Sequence, residues 1–208
     1  LDLIGNLHRE CGGALALVSG RMIADLQSRI GLRQLPLAGL HGLERRDSAG
    51  RLWIHAAPPA SKSAIKEALA PLLARHPGLL LEDKGLTLAL HYRLAPAMAG
   101  YVHRLMSKFA NAAGQNLELQ PGKFVVEIKP RGIDKGTAVV EYLDEYPFKG
   151  RVPVFIGDDL NDERGFAEVN KLRGVSIKVG KGPSCARFRL PDVAAVHHWL
   201  GAALKGMT

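Results

Sequence analysis

Cysteine is nearly absent from this chain: two in 208 residues, Cys11 and Cys185. They stand far apart and match no metal spacing. That excludes a disulfide framework and a thiolate metal cluster, and it points to idle or buried thiols in a reducing cytosol. Aromatic residues are also scarce, at 6%, a poor supply for stacking on bases. The formal net charge is +8 and the pI about 9.7, which suits an anionic partner: nucleic acid, anionic lipid or a phosphorylated small molecule. The lysines and arginines are scattered rather than massed, however, and no basic helix or known reader motif occurs. The sequence therefore argues against nucleic acid. No apolar run approaches a membrane span, and no basic-then-apolar signal pattern opens the chain. Internal repeats and low-complexity tracts are missing as well. With 47% hydrophobic residues, the chain is long enough for one large domain or two small ones with real cores.

What the chain has in abundance is concentrated at 153–166, PVFIGDDLNDERGF. A short apolar run meets one glycine, and Asp158, Asp159, Asn161, Asp162 and Glu163 follow before a helical pattern begins. Two readings compete. Asp and Asn before a helix satisfy its free N–H groups as caps. Clustered carboxylates also repel one another unless a cation or protons neutralise them, and hard oxygen donors of this kind suit Mg²⁺. Two adjacent aspartates exceed what a cap needs. An EF-hand is excluded: counting from Asp159, the sixth position is Arg164 instead of glycine and the twelfth is Asn170 instead of glutamate.

Periodicity predicts helices at 1–11, 22–30, 61–75, 96–113, 134–146, 162–171 and 192–204, and strands at 14–18, 36–40, 43–46, 51–55, 79–82, 86–93, 123–129, 152–156 and 175–179. Both ends of the chain alternate β and α, which implies a parallel, doubly wound sheet. The middle has hairpin strands and two longer helices. The fold class expected is α/β, with a Rossmann-like core formed by 1–37 and 131–208 and an inserted α+β domain at 38–130.

Ligands in open α/β sheets sit beyond the carboxyl ends of the strands. Two polar clusters fall at such ends: Ser19-Gly20-Arg21 and Gly157-Asp158-Asp159. Ser19 is suited to bond a phosphoryl oxygen, with the following helix N-terminus favouring an anion; it is equally suited to be an N-cap. Lys135 opens a helix against the dipole, a position that favours an anion nearby. In the inserted domain, Leu86, Leu88, Leu90 and Tyr92 share one strand face, and Phe124, Val126 and Ile128 share another. The opposite faces carry His91, Arg93, Glu127 and Lys129. That surface reads either as a solvated sheet face or as mixed donors and acceptors for a polyhydroxylated substrate.

Together these residues resemble the trehalose-6-phosphate phosphatases of the haloacid dehalogenase superfamily. The segments that carry the resemblance are LALVSGR at 15–21, LAGLHGLERRD at 37–47, LALHYR at 88–93, VVEIKPRGIDKGTAV at 125–139 and PVFIGDDLNDERGFAEVN at 153–170. The resemblance implies a haloacid dehalogenase core with a mobile α/β cap. It also implies Mg²⁺-dependent hydrolysis of trehalose 6-phosphate through an aspartyl-phosphate. Carried over by motif, Ser19 contacts the phosphoryl group, Lys135 stabilises its charge, and Asp158 is a Mg²⁺ ligand with Asp159 and Asp162 near it. Glu44, Glu127 and Lys129 read sugar hydroxyls, with His41, Arg93 and Arg21 as neighbours. The implied compartment is the cytoplasm.

Two departures stand out. Asn161 replaces the family's usual threonine. The family's first motif, Asp-x-Asp-x-Thr, is missing, since no Asp-x-Asp occurs in these 208 residues. The expectation is a fragment beginning at a helix, without the nucleophile, the acid/base and the first strand, and inactive alone. Two other readings stay open. One is a non-catalytic sugar-phosphate binding or regulatory protein. The other is a phosphatase for another sugar phosphate, such as sucrose phosphate or a phosphoglycerate glycoside.

Overall fold

The structure is a computed structural model that describes residues 2–57 and 59–206. In chain order its elements are α1 (Asp2–Glu10), β1 (Leu17–Val18), α2 (Ile23–Ile30), β2 (Leu37–Gly39), β3 (Glu44–Arg46), β4 (Leu52–Ile54), α3 (Lys62–Arg75), β5 (Leu80–Asp83), β6 (Leu88–His91), α4 (Ala99–Ala112), β7 (Leu117–Gly122), β8 (Val125–Pro130), α5 (Lys135–Leu143), β9 (Val154–Gly157), α6 (Asp162–Lys171), β10 (Val175–Val179), β11 (Phe188–Leu190) and α7 (Val193–Lys205). Leu1, where the first helix was expected to begin, lies outside the described residues. The chain divides into two compact units: Leu1–His55 with Ile133–Thr208, and Ala56–Gly132.

The division falls later than the expected boundary at 37/38. Residues 38–55 belong to the first unit because β2 pairs parallel with β1, Leu17 opposite Leu37 and Val18 opposite Ala38, and β3 and β4 extend that sheet as hairpins. The strand-rich composition there looked like the start of an insertion, but its hydrogen bonds run back to β1. Buried Arg45 fastens the same segment to α5 and the residues just after it, with Nε 2.8 Å from Glu141 Oε2 and Nη1 2.6 Å from Glu145 Oε1.

Within the first unit the strands form two sheets instead of one. The first has the order β1-β2-β3-β4, and the second is β11-β10-β9, all parallel. Each ends on a strand, β1 or β9, whose outer edge has no partner among the described residues. The unit is of the expected α/β class, with parallel pairing in both sheets. Apolar side chains of α2 (Ile23, Leu26), of the chain before β2 (Leu35) and of β2 itself (Leu37) form one cluster, and Ala38 packs with Ala138, Tyr142 and Phe148 in another. Strand β11 was not anticipated, and the predicted helix at 134–146 ends at Leu143.

The second unit is an antiparallel sheet, β5-β6-β8-β7. Leu88, Leu90, Val126 and Ile128 cluster with Ile65, Leu69 and Leu72 of α3 and with Val102, Met106 and Ala110 of α4. The alternation read from the sequence thus packs one sheet face on two helices. Strand β7 was missed, since Pro121-Gly122 inside it reads as a turn; Pro is tolerated there because β7 is an edge strand. Phe124 falls in the β7–β8 turn at φ 62°, so it leaves the apolar row and is 37% exposed.

One acid-sensitive tie holds this unit. Asp83 accepts hydrogen bonds from Lys62 and Lys66 of α3, each at 2.8 Å. The two ammonium groups pull its carboxyl well below the ordinary carboxylate range. A carboxyl depressed in the folded state contributes stability above its unfolded pKa and loses it as pH falls through the folded value. Asp83→Asn is expected to flatten the acid limb of the thermal-stability profile below about pH 4. Melting temperatures measured from pH 2 to 7 check this; an acid limb unchanged by the substitution rules it out.

Candidate active site

The acidic turn starts from β9. Its register with β10, Ile156 opposite Ile177 and Gly157 opposite Lys178, brings both strands to a common carboxyl end. Gly157 is required there, because a Cβ at that position would overlap the Asp162 side chain. Asp162 is the first residue of α6 and is 3% exposed. Its Oδ1 accepts from Lys135 Nζ at 2.6 Å, and its Oδ2 accepts from the Asp159 backbone N–H at 2.8 Å. Asp159 Oδ1 in turn accepts from the Leu160 N–H at 2.7 Å. Asp158 is exposed, and its carbonyl accepts from Lys178 Nζ at 2.6 Å. Capping and site-building are therefore divided: Asp162 and Asp159 organise the turn, and Asp158 is the carboxylate presented by it.

Lys135 is buried at the first position of α5. Asp134 caps that helix, accepting from the Gly136 and Thr137 N–H groups at 2.8 and 3.1 Å, while Thr137 Oγ1 accepts from the Asp134 N–H at 3.3 Å. The reciprocal cap fixes the helix start, and Asp162 supplies the anion that a lysine in a first turn requires.

Ser19 follows β1. Its N–H donates to Ala38 O at 2.8 Å, and its hydroxyl accepts weakly from the Arg21 N–H at 3.2 Å. The Arg21 guanidinium is directed to Asp25 of α2 at 2.8 Å, an exposed pair. His41 lies across the turn: its N–H donates to Ser19 O at 2.9 Å, and its ring covers Gly20, where a Cβ would stand 2.7 Å from the imidazole. Leu40 and His41 both take positive φ, 48° and 61°. Gly42 follows at φ 107°, and a Cβ there would stand 2.7 Å from Asp134 O. The β2–β3 turn thus touches both the Ser19 turn and the cap of the Lys135 helix. Glu44, which the resemblance assigns to reading sugar hydroxyls, contacts α2: its Oε1 accepts from the Ile23 N–H at 2.5 Å. Burial pushes this carboxyl above its ordinary pKa, opposed by that hydrogen bond.

In the second unit Glu127 and Lys129 are buried, at 4% and 0% exposure, so the solvated-face reading fails for them. Glu127 accepts from the Thr87 hydroxyl and from Lys84 Nζ, the latter at 3.1 Å. Lys129 Nζ lies 2.6 Å from Glu118 Oε1. His91 contacts Glu82 at 2.8 Å. Arg93 is exposed and lies 5.7 Å from the Phe124 ring centre, a cation–π distance.

Four partners of the candidate residues were not singled out in the sequence: Lys84, Thr87 and Glu118, which contact Glu127 or Lys129 in the second unit, and Lys178, which contacts the Asp158 carbonyl in the first. Lys178 had a readable signal, since a lysine inside an apolar parallel strand is buried and needs an acceptor. The other three depend on cross-strand partners that only the register supplies.

Among the described residues no group of three or more His, Cys, Asp or Glu side chains gathers to hold a metal ion. Of the three expected ligands, Asp162 accepts from Lys135 Nζ at 2.6 Å. Asp158 and Asp159 remain as oxygen donors at the end of β9. Mg²⁺ is commonly held by one or two carboxylates with phosphate oxygens and water. The residues fit such a partial cradle and do not make an all-protein cage. No helix among the described residues is long and apolar enough to cross a membrane.

A parallel β9–β10–β11 sheet, a serine at the end of β1 and an inserted α+β unit are features expected of a haloacid dehalogenase-type fold. The fold agrees. Residues covering 99% of this chain superpose on 85% of BT1666 from Bacteroides thetaiotaomicron, a phosphatase of that superfamily, with a TM-score of 0.65 at 16% identity. The C-terminal domain of Candida albicans trehalose-6-phosphate phosphatase is matched over 100% of this chain and 83% of that one, with a TM-score of 0.82 at 21% identity. In sequence, the chain is 47% identical over 188 residues to trehalose-6-phosphate phosphatase of Escherichia coli (strain K12), covering 90% of this chain and 70% of that protein. The Trehalose-phosphatase family profile matches residues 1–194, and the chain belongs to that family.

Proposed function

We propose that the protein hydrolyses trehalose 6-phosphate to trehalose and phosphate in the cytoplasm, using Mg²⁺ and an aspartyl-phosphate whose nucleophile lies outside these 208 residues. The observation that carries this is the 47% identity to the Escherichia coli phosphatase, which runs through both units. In this reading the Ser19 hydroxyl bonds a phosphoryl oxygen and Lys135 offsets its charge, with Asp162 holding the ammonium in place. Asp158, assisted by Asp159, would hold Mg²⁺, which when bound neutralises phosphoryl oxygens. Glu127 and Lys129 recognise sugar hydroxyls, oriented by Thr87, Lys84 and Glu118.

The non-catalytic reading rests on one observation, the missing Asp-x-Asp. A substrate panel of trehalose 6-phosphate, sucrose phosphate and p-nitrophenyl phosphate on the full-length protein separates it, and the other sugar phosphates, from the proposal. Glu127→Ala sharpens the test. Losing a hydrogen bond to a charged group costs about 1.5–3 kcal/mol, or roughly ten- to a hundred-fold in kcat/KM for trehalose 6-phosphate. p-Nitrophenyl phosphate makes no sugar contact and is expected to be hydrolysed at nearly the original rate. Equal losses on both substrates would make Glu127 a structural residue.

A further inference from the structure

Glu44 sits where a sugar-reading carboxylate was expected, yet its geometry serves another part of the site. The N-cap residue of α2, Met22, has no side-chain acceptor to offer the helix. The acceptor comes instead from 21 residues away, with Glu44 Oε1 2.5 Å from the Ile23 N–H. The fit leaves no slack. A Cβ on Gly39 would lie 2.6 Å from that same carboxylate oxygen and 2.8 Å from both Arg21 O and Ile23 N. Three backbone bonds clamp the same turn from the same side: the Ser19 N–H to Ala38 O at 2.8 Å, the Leu40 N–H to Arg21 O at 2.9 Å, and the His41 N–H to Ser19 O at 2.9 Å. One continuous segment, from β2 through β3, therefore shapes residues 19–23.

We propose that Glu44 is a positioning residue for the Ser19–Ile23 turn and does not read the sugar. This rests on the reading of Ser19 as a phosphoryl-binding residue. A carboxylate is favoured at a helix N-terminus by the dipole, and by accepting from the Ile23 N–H Glu44 fixes the helix start and with it the place of the Ser19 hydroxyl. Gly39 belongs to the same device, since any side chain there would displace the carboxylate.

The test uses full-length protein carrying Glu44→Ala or Glu44→Gln, with Glu127→Ala alongside. The measurements are kcat and KM for trehalose 6-phosphate and for p-nitrophenyl phosphate, binding of inorganic phosphate by calorimetry, and the melting temperature. Glu44→Ala is expected to lower kcat/KM about ten- to a hundred-fold on both substrates and to weaken phosphate binding in parallel. Glu44→Gln, whose amide oxygen still accepts from the Ile23 N–H, is expected to recover most of the loss. A loss confined to trehalose 6-phosphate would overturn the proposal in favour of sugar reading. So would a lower melting temperature with phosphate binding and both rate profiles unchanged. If the unmodified protein binds phosphate and cleaves p-nitrophenyl phosphate but leaves trehalose 6-phosphate intact, the substrate reading fails while Glu44 is still judged on the other two probes.

Discussion

Residues 1–208 on their own are expected to release no phosphate from trehalose 6-phosphate, with or without Mg²⁺. The described residues bring a cation, Lys135, a hydroxyl, Ser19, and carboxylates to one unit. None of these is set up as an attacking group. Asp162 is neutralised by Lys135 at 2.6 Å, and Asp159 is engaged by the Leu160 N–H. Asp158 is presented as a ligand would be, on a turn whose carbonyl is pinned by Lys178. Splitting a phosphate monoester through a covalent intermediate needs a carboxylate in line with phosphorus, and no Asp-x-Asp is available to supply one. The measurement is colorimetric phosphate release by a sample whose circular dichroism shows a cooperative melt, set against buffer and against full-length protein. Turnover clearly above the buffer blank would remove the assigned mechanism.

Much of the fold was legible because local pattern and final packing agree. The sequence reading placed a helix over 162–171 and a strand over 175–179, and α6 and β10 have those bounds. Their apolar periods are clean, and glycine and proline punctuate them. The alternation of Leu86, Leu88 and Leu90 foretold the packed face of the inserted sheet for the same reason. Failures arose where a long-range bond overrides local appearance. Residues 38–55 look like the first hairpins of an insertion, and only the pairing of β1 with β2 assigns them to the first unit. Strand β7 hid behind Pro121-Gly122. Around the candidate residues, the contact between Lys135 and Asp162 joins two helix starts 27 residues apart, which no spacing rule pairs. Glu44 was located, but its partner, Ile23 N, lies on another element, and no spacing rule joins the two. Burial of Glu127 and Lys129 was likewise invisible: alternation tells which face a side chain takes, and it does not tell whether that face meets water.

Lys135→Met in the full-length protein is expected to lower kcat for trehalose 6-phosphate by about a hundred- to a thousand-fold, the range seen when one preorganised charge-stabilising donor is removed. Two causes would mix in that number. Lys135 and Asp162 are both buried and joined at 2.6 Å. Removing one partner leaves an uncompensated carboxylate and destabilises the fold by about 3–5 kcal/mol. The double variant Lys135→Met with Asp162→Asn separates them. The amide at 162 retains an oxygen that can accept from the Asp159 N–H, so the turn after β9 keeps its anchor, and no buried charge is left alone. If the lysine acts on the phosphoryl group, the double variant regains most of the lost melting temperature and remains as inactive as the single one. If the pair only holds α5 against α6, stability and kcat return together, and Lys135 has no place in the chemistry. Asp162→Asn alone completes the cycle. It leaves a buried ammonium without its anion, and that ammonium is expected to bind inorganic phosphate more tightly than in the unmodified protein. A coupling energy near zero between the two substitutions in stability would mean that the 2.6 Å contact contributes nothing, and the case for a lysine held in readiness for a phosphate would fall with it.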